Sequence, residues 1–233
     1  CNKIKAFYPP FGLEDGSSCG KLKPRFFQWT DGHSNIEVFI DNGMSAVSSH
    51  ERKEGTYRFG WLCESKEIVK KIYQSLYMDH KKYFEHFDAI FTCDEDLLEL
   101  DSKFIFALSG SNLPWTPVED FGIHEKNKMC SLLASPKLMT NGHRLRHQWA
   151  EKLKNENGTI PVYWGCPNIG DYFNTDGIIQ LDESFDINDL TEELYESKME
   201  AIKDNFERVK TLKLSDDILW ELIGHHIDKE NGK

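Results

Sequence analysis

Long apolar runs, closely spaced cysteines and internal repeats are all missing from this sequence. No apolar stretch approaches the ~18–20 residues that a membrane-spanning helix requires, so the sequence predicts no such helix. The six cysteines are widely scattered, whereas a zinc site needs ligand pairs only a few residues apart. These absences argue against a transmembrane protein and against a zinc-finger type of metal site.

Positive charge is also scarce. The 233 residues include 28 Lys and Arg against 39 Asp and Glu, which gives a formal net charge of −11. A nucleic-acid-binding protein needs a basic face, so this balance argues against a nucleic-acid partner. Within residues 126–154, however, the only acid is Glu151, and this segment would attract an anionic small ligand. Its basic residues are Lys126, Lys128, Lys137, Arg144, Arg146, Lys152 and Lys154.

Large apolar side chains are in ordinary supply. Hydrophobic residues make up 39% of the chain and aromatic residues 12%, which is enough for one large core or two smaller ones and argues against wholesale disorder. Cys63, Cys93 and Cys130 lie in or beside apolar runs, as buried free thiols do. This pattern favours a reducing compartment, and we expect a cytoplasmic protein or one peripheral to a membrane.

Short apolar runs alternate with longer amphipathic stretches, which is typical of an α/β fold with a largely parallel sheet. The predicted strands are Ile36–Ile40, 57–62, 88–92, 104–108, 130–134, 160–164 and 177–181. The predicted helices are 67–87, 142–154, 188–209 and 215–223, the last with Ser215 as its N-cap. Prolines and glycines in the first forty residues predict loops around one or two short strands.

A segment rich in proline, glycine and charge, residues 110–128, marks a boundary between two halves. We predict a Rossmann-like domain over 1–125, a second over 126–214, and a C-terminal helix and tail over 215–233. Ligands of open α/β sheets bind at the carboxyl ends of the strands. We therefore expect the functional site in a cleft between the two domains.

Two segments of the second half have features of an anion site. Residues 159–168 read TIPVYWGCPN, in which a strand ends at Gly165 and Pro167 opens a helical turn whose N–H groups can meet an anion. Upstream, a polar loop leads into a helix that carries Arg144 and Arg146, and a guanidinium there can pair with a diphosphate. Since the arginines are two residues apart, they cannot share one helix face. Two solvated arginines remain the alternative.

The string TIPVYWGCPN, the residues DYFN of 171–174 and the strand 177–181 together resemble the C-terminal half of the α1,3/4-fucosyltransferase family, glycosyltransferase family 10. The resemblance is strong over 130–185 and faint before residue 57. In the first half, the residues GWLCES of 60–65 resemble an element of the family's first domain that contains Trp and Glu-Ser.

This resemblance implies a two-domain GT-B fold and an inverting, metal-independent transfer of fucose from GDP-fucose to a hydroxyl of a glycan acceptor, with no cofactor. It implies that Arg146 holds the donor diphosphate, where negative charge develops on the leaving group. It implies that Glu64 is the general base near the acceptor hydroxyl. The other donor-binding residues that it implies are Ser135, Lys137, Tyr163 and Gly165.

The local sequence around Glu64 supports two interpretations. Glu64 follows the predicted strand 57–62, and the apolar residues 61–63 would favour its role as a base. In the second interpretation Glu64 is only an acid at the start of the helix from residue 67, with Ser65 as the cap and no chemistry.

One departure separates this sequence from the family. The family carries a Tyr-x-Phe-x-x-x-x-Glu-Asn strand and a Thr-Glu-Lys helix start between the arginine helix and the TIPxYWG strand, and both contribute to the nucleotide-sugar site. Here the two flanking elements follow one another directly, and we favour a stretch missing between Lys154 and Gly158. A catalytically silent carbohydrate-binding relative, or a transferase with another nucleotide sugar, remains the alternative.

Two further groups have ligand-like spacing for a metal. Asp94-Glu-Asp96 fits an Asp-x-Asp pattern, but acids that follow a strand and open a turn commonly cap a helix. His143 and His147 are four residues apart on one helix face, but no third ligand lies near them in the sequence. We therefore expect no metal site at either place.

Overall fold

The computed structural model describes residues 2–9, 11, 13, 22–108, 122–125, 137–153, 162–163, 169–180, 186 and 189–232. The chain divides into two compact units, the first formed by Cys1–Trp115 with Lys213–Lys233 and the second by Thr116–Leu212. The first break lies inside the segment 110–128 that the sequence marks as a boundary. No helix of the described residues is both long and apolar enough to cross a membrane.

The first unit is an α/β structure built on a six-stranded parallel sheet. Its strands are β1 (Asn2–Phe7), β2 (Phe27–Thr30), β3 (Ile36–Ile40), β4 (Tyr57–Trp61), β5 (Ala89–Thr92) and β6 (Phe104–Phe106). The described α-helices of the whole chain are α1 (Lys70–Phe84), α2 (Glu95–Leu100), α3 (Asn141–Leu153), α4 (Glu192–Ser197), α5 (Met199–Lys210) and α6 (Ser215–Glu230). A 3-10 helix over Asp41–Ser49 follows β3.

The strand order is β2-β1-β3-β4-β5-β6, and every neighbouring pair is parallel. The chain moves from β1 outward to β2 on one side, and then from β3 to β6 on the other side. The direction of winding therefore reverses between β1 and β3. In an open parallel sheet, such a reversal leaves a crevice at the carboxyl ends of the two strands.

Apolar side chains on both faces hold this sheet in place, since all five residues of β3 are buried. On one face, Phe59 and Phe91 belong to a core cluster that also contains Leu219 and Ile223 of α6. Each such side chain contributes roughly 1.5–3 kcal/mol when it is fully buried. The C-terminal helix is therefore part of the first unit and of its core.

The other face of the sheet packs against the 3-10 helix and α1. Phe39 and Ile90 of the sheet form a second cluster with Met44, Ile72 and Leu76. Ile72 and Leu76 are thus buried residues of α1, which lies within the helix that the sequence predicts over 67–87.

A buried ion pair joins β3 and β4 on this second face. Glu37 lies opposite Arg58 in the strand register, and Oε2 of Glu37 accepts from Nε and Nη2 of Arg58 at 2.9 and 2.7 Å. The carbonyls of His50 and Glu51 accept from the same guanidinium. Arg58 is only 1% exposed, so the free energy of unfolding depends on these partners being kept.

The second unit is described in smaller pieces. β7 (Val162–Tyr163) and β8 (Ile179–Gln180) form a two-stranded parallel sheet. A short 3-10 helix, Thr175–Gly177, packs against α5, and a Cβ on Gly177 would lie 2.9 Å from the backbone carbon of Ala201. This close approach requires glycine. Among the described residues of this unit, Gly177 and Leu190 are buried.

The structure confirms most predicted elements and corrects several bounds. α6 reaches Glu230 instead of residue 223, because Ile227 still packs against the core. Ser215 does not cap it: Leu214 is the N-cap, and the Ser215 hydroxyl is buried without a hydrogen-bond partner in the described structure. The predicted helix 188–209 is two separate helices in the structure. α4 ends at Ser197, and the N–H of Lys198 donates to the carbonyls of Tyr195 and Glu196.

The predicted strand 177–181 also differs, because Gly177 ends a 3-10 helix and the strand itself is Ile179–Gln180. The predicted strand 130–134 lies outside the described residues. Cys93 is exposed, so the prediction that it is buried is wrong. It directly follows β5, where the chain leaves the sheet.

Candidate functional site

The crevice between β1 and β3 contains the main candidate site. The strands β1, β3 and β4 lie side by side and end at the same edge of the sheet. Tyr8 follows β1, Asp41 follows β3, and Glu64 lies just beyond β4. These residues line an open cavity of about 520 Å³, a volume that suits a small-molecule ligand.

Glu64 is half-buried and lines this cavity, so its predicted place at the carboxyl edge of the sheet is confirmed. Its backbone is held from two sides. The Glu64 N–H donates to Oδ1 of Asp41 at 3.1 Å, and the Tyr73 hydroxyl donates to the Glu64 carbonyl at 3.3 Å. The chain therefore presents the Glu64 carboxylate from a fixed backbone segment.

The interpretation of Glu64 as a capped helix acid is wrong. α1 begins at Lys70 and not at residue 67, its N-cap is Val69, and no side chain caps it. The carbonyl of Ser65 instead accepts from the N–H groups of Ile68 and Val69 in a separate turn. Glu64 lies before that turn and outside the helix.

Asp41 is the most unusual residue of the site. It is 6% exposed and has a φ of 48°, a region that few residues other than glycine, asparagine and aspartate adopt. Its Oδ1 accepts from the N–H groups of Cys63 and Glu64 at 2.9 and 3.1 Å. Its Oδ2 is buried and has no hydrogen-bond partner among the described residues. Burial raises the pKa of Asp41 above its usual value, and this effect outweighs the two N–H bonds, which lower it.

The part of the cavity lining formed by Tyr8 and Gly43 depends on a glycine. Tyr8 has a φ of 57° and is 55% exposed. A Cβ on Gly43 would lie 2.6 Å from the Cβ of Tyr8, closer than two non-bonded carbon atoms approach. The tight contact between Gly43 and Tyr8 therefore sets the shape of this part of the lining.

Cys63 directly precedes Glu64 and lies beside the cavity-lining residues Asp41 and Glu64. Its N–H bonds to Asp41, and it packs beside the core. Burial raises the pKa of its thiol well above the usual value, so the thiolate is disfavoured. The residue is therefore unsuited to act as a nucleophile.

The acidic triplet at Asp94 serves a structural purpose. Asp94 caps α2 by accepting from the N–H of Leu97, as the sequence predicts, and also accepts from the Tyr77 hydroxyl at 2.6 Å. Lys66 forms ion pairs with both Asp94 and Asp96. Burial alone would raise the pKa of Asp94, but its hydrogen bonds and the charge of Lys66 lower it. No group of three or more potential metal ligands is found in the described part of the chain.

The donor-side residues of the second unit are only partly described. Arg144 and Arg146 are both exposed on α3. The guanidinium of Arg144 donates to the Leu138 carbonyl and to the Asn141 side chain, whereas Arg146 makes no hydrogen bond to another described residue. Of the two arginines, Arg146 therefore has the guanidinium that is more available to a ligand.

The remaining predicted residues receive little structural information. Lys137 is exposed, and β7 includes the backbone of Tyr163. Ser135 and Gly165 lie outside the described residues. In the predicted histidine pair, Nδ1 of His143 accepts from the N–H of Thr140 at the start of α3. His143 is thus engaged at the helix end.

Comparisons with known proteins identified no relative of this chain. A scan against protein-family models found no match, and neither the curated proteins nor the solved structures gave one. The candidate site therefore depends on its own geometry, and the resemblance to the fucosyltransferases stays a prediction.

Asp41 and Tyr8 are site residues that the sequence predictions missed. The signal for Asp41 was present, because an acid directly follows the buried run Ile36–Ile40 at the carboxyl end of a strand. Its two hydrogen-bond donors, however, are more than twenty residues away, and only the register of β3 with β4 brings them together.

Proposed function

We propose that this chain is an inverting, metal-independent glycosyltransferase that transfers fucose from GDP-fucose to a hydroxyl group of a glycan acceptor. The observation that carries the proposal is the position of Glu64, a half-buried carboxylate on a fixed backbone in a cavity at the switch point of a parallel sheet. The resemblance of residues 60–65 and 159–168 to fucosyltransferase sequences supplies the reaction class.

In the proposed reaction, the Glu64 carboxylate takes the proton of the acceptor hydroxyl. The acceptor oxygen then forms a bond to C1 of fucose as the bond from C1 to the diphosphate oxygen breaks, so the configuration at C1 inverts. GDP leaves with the electron pair. A base near the acceptor contributes about 10²–10⁴-fold to such a step.

The donor side of the proposal uses the second unit in a GT-B arrangement. Arg146 would pair with the diphosphate and offset the charge that develops on it as GDP leaves. The basic character of residues 126–154 supports this role, and so does the available guanidinium of Arg146. Ser135, Lys137, Tyr163 and Gly165 complete the proposed donor site.

The test is a transfer assay on the full chain with a panel of GDP-, UDP- and CMP-sugars and a mixture of glycans, read by mass spectrometry. We expect consumption of GDP-fucose alone and a glycan product heavier by one deoxyhexose. EDTA should leave the rate unchanged. Loss of turnover on chelation, restored by Mn²⁺ or Mg²⁺, would contradict metal independence.

A catalytically silent carbohydrate-binding relative is the second candidate. It is favoured by the short connection in the sequence between Lys154 and Gly158. Such a protein would bind glycans at the Glu64 cavity while leaving every sugar nucleotide intact. Hydrolysis of the donor without an acceptor distinguishes the two, since only an enzyme produces free GDP.

A further inference from the structure

The burial, the unpartnered oxygen and the backbone conformation of Asp41 do not stabilise the fold. Its carboxylate is buried at 6% exposure, one of its oxygens has no partner in the described structure, and its backbone adopts a positive φ. Each of these features costs stability, by the order of 1–3 kcal/mol for an unpartnered buried group and for the backbone conformation. Features that oppose stability concentrate at functional sites.

The contacts of Asp41 indicate what it does. Its Oδ1 accepts from two consecutive N–H groups, those of Cys63 and Glu64, in the segment that leaves β4. No other described side chain bonds to either N–H. Two bonds to one oxygen fix both the position of this segment and its rotation, and therefore the direction in which the Glu64 side chain leaves the backbone.

We propose that Asp41 is a positioning residue, which holds the Glu64 carboxylate at the acceptor side of the cavity through hydrogen bonds to the backbone of residues 63 and 64. This inference rests on the proposed role of Glu64 as the base. A displacement of about 1 Å in a catalytic group can cost about 10²-fold in rate, so the loss of these bonds should reach the chemical step.

Two substitutions separate the hydrogen bonds from the charge. Asp41→Asn keeps an oxygen at the Oδ1 position, removes the charge, and tolerates the positive φ. Asp41→Gly removes the side chain without adding backbone strain, because glycine favours positive φ. We expect Asp41→Gly to lower kcat about tenfold or more, with the KM for the donor within about twofold of the parent. In Asp41→Asn, kcat should stay within about threefold of the parental value.

Hydrogen exchange at the Cys63 and Glu64 amides gives a readout that needs no substrate. Both amides should be protected in the parent and in Asp41→Asn, and should lose protection in Asp41→Gly. If Asp41→Gly does not fold, a second measurement tests the same two hydrogen bonds. Scalar couplings across the N–H···O bonds are then measured in the parent and in Asp41→Asn.

Three results would overturn the inference: parental kcat in Asp41→Gly, unprotected or uncoupled amides in the parent, or a defect in Asp41→Asn as large as that in Asp41→Gly. Failure of the proposed function is a different result, because it is seen as parental transfer by Glu64→Gln. In that case the amide measurements still decide whether Asp41 holds the backbone of residues 63 and 64.

Discussion

Among the residues that the structure describes, the two units differ in how they bury their side chains. In the first unit, apolar residues from the sheet pack against α6 on one face and against α1 and the 3-10 helix on the other. In the second, α5 has no buried residue, and Gly177 and Leu190 are the buried positions in the part that the structure describes. α5 instead carries surface ion pairs, such as that of Arg208 with Asp204.

The proposed base and the proposed diphosphate-binding arginine lie in different units. The acceptor-side carboxylate, Glu64, lies in a unit whose core is well formed, and its backbone is held by hydrogen bonds. The donor-side arginine, Arg146, is an exposed residue of α3. Local geometry therefore supports the base more strongly than it supports the diphosphate site.

The largest expected effect concerns the buried ion pair of the first unit. Glu37→Ala would leave the Arg58 guanidinium buried without its carboxylate, which costs about 3–5 kcal/mol in the free energy of unfolding. Urea unfolding followed by tryptophan fluorescence measures this, because Trp29 and Trp61 are buried in the same unit. Glu99→Ala, at an exposed position of α2, is the control and should change stability by less than about 0.5 kcal/mol. Equal effects of the two substitutions would contradict the claim that the first unit depends on the buried partner of Arg58.

The second prediction concerns ligand binding to the second unit. Arg146→Ala should weaken GDP binding by about 2–3 kcal/mol, the scale of a charge-assisted hydrogen bond. Arg144→Ala should cost much less, since its guanidinium already bonds to Leu138 and Asn141. Isothermal titration calorimetry with GDP measures both. A reversed order of the two arginines would contradict the assignment of the diphosphate to Arg146.

The third prediction concerns the packing of the second unit. Gly177→Ala should destabilise the contact between the short 3-10 helix and α5 by about 1–3 kcal/mol, because the added Cβ would meet the Ala201 backbone. Faster amide exchange in α5 is the expected sign. Gly224→Ala is the control, since its Cβ would meet nothing within 4 Å inside α6, and it should stabilise by about 0.5–1 kcal/mol. Unchanged exchange in α5 would mean that this contact contributes little.

The smallest effect is a pH dependence. Burial raises the pKa of Asp41 above its ordinary 3.8, so the folded chain holds this proton to higher pH than the unfolded chain does. The stabilising contribution of the group is therefore fully present below the ordinary value and is lost as pH rises through the raised folded value. Asn does not titrate, so the stability of Asp41→Asn relative to the parent should increase as pH rises from the ordinary value of 3.8 through the raised folded value. Urea midpoints measured across this range provide the check, and a constant difference would contradict the burial of a charged Asp41.

The sequence predicts those features that depend on neighbours along the chain. The run Ile36–Ile40 reads as a strand, and Glu64 falls at a strand end because the apolar residues stop just before it. The start of α1 was placed three residues too early, since Glu67 and Ile68 continue the helical pattern although they lie in a turn.

Features that depend on distant partners could not be predicted in this way. The place of α6 in the first unit is set by contacts such as that of Asp217 with Arg25, which are 192 residues apart. The role of Asp41 likewise depends on the register of two strands. An Asp-Asn-Gly sequence reads as an ordinary turn until that register is known.

The most direct test of the account is the rate of sugar transfer by Glu64→Gln. The substituted side chain keeps its shape but cannot take the acceptor proton, so kcat should fall by about 10²–10⁴ while donor binding and the melting temperature stay close to the parent. Glu67→Gln, on the exposed turn beyond the site, is the matched control and should transfer at the parental rate. Transfer by Glu64→Gln within a few-fold of the parent would contradict the account, since the base would then lie elsewhere.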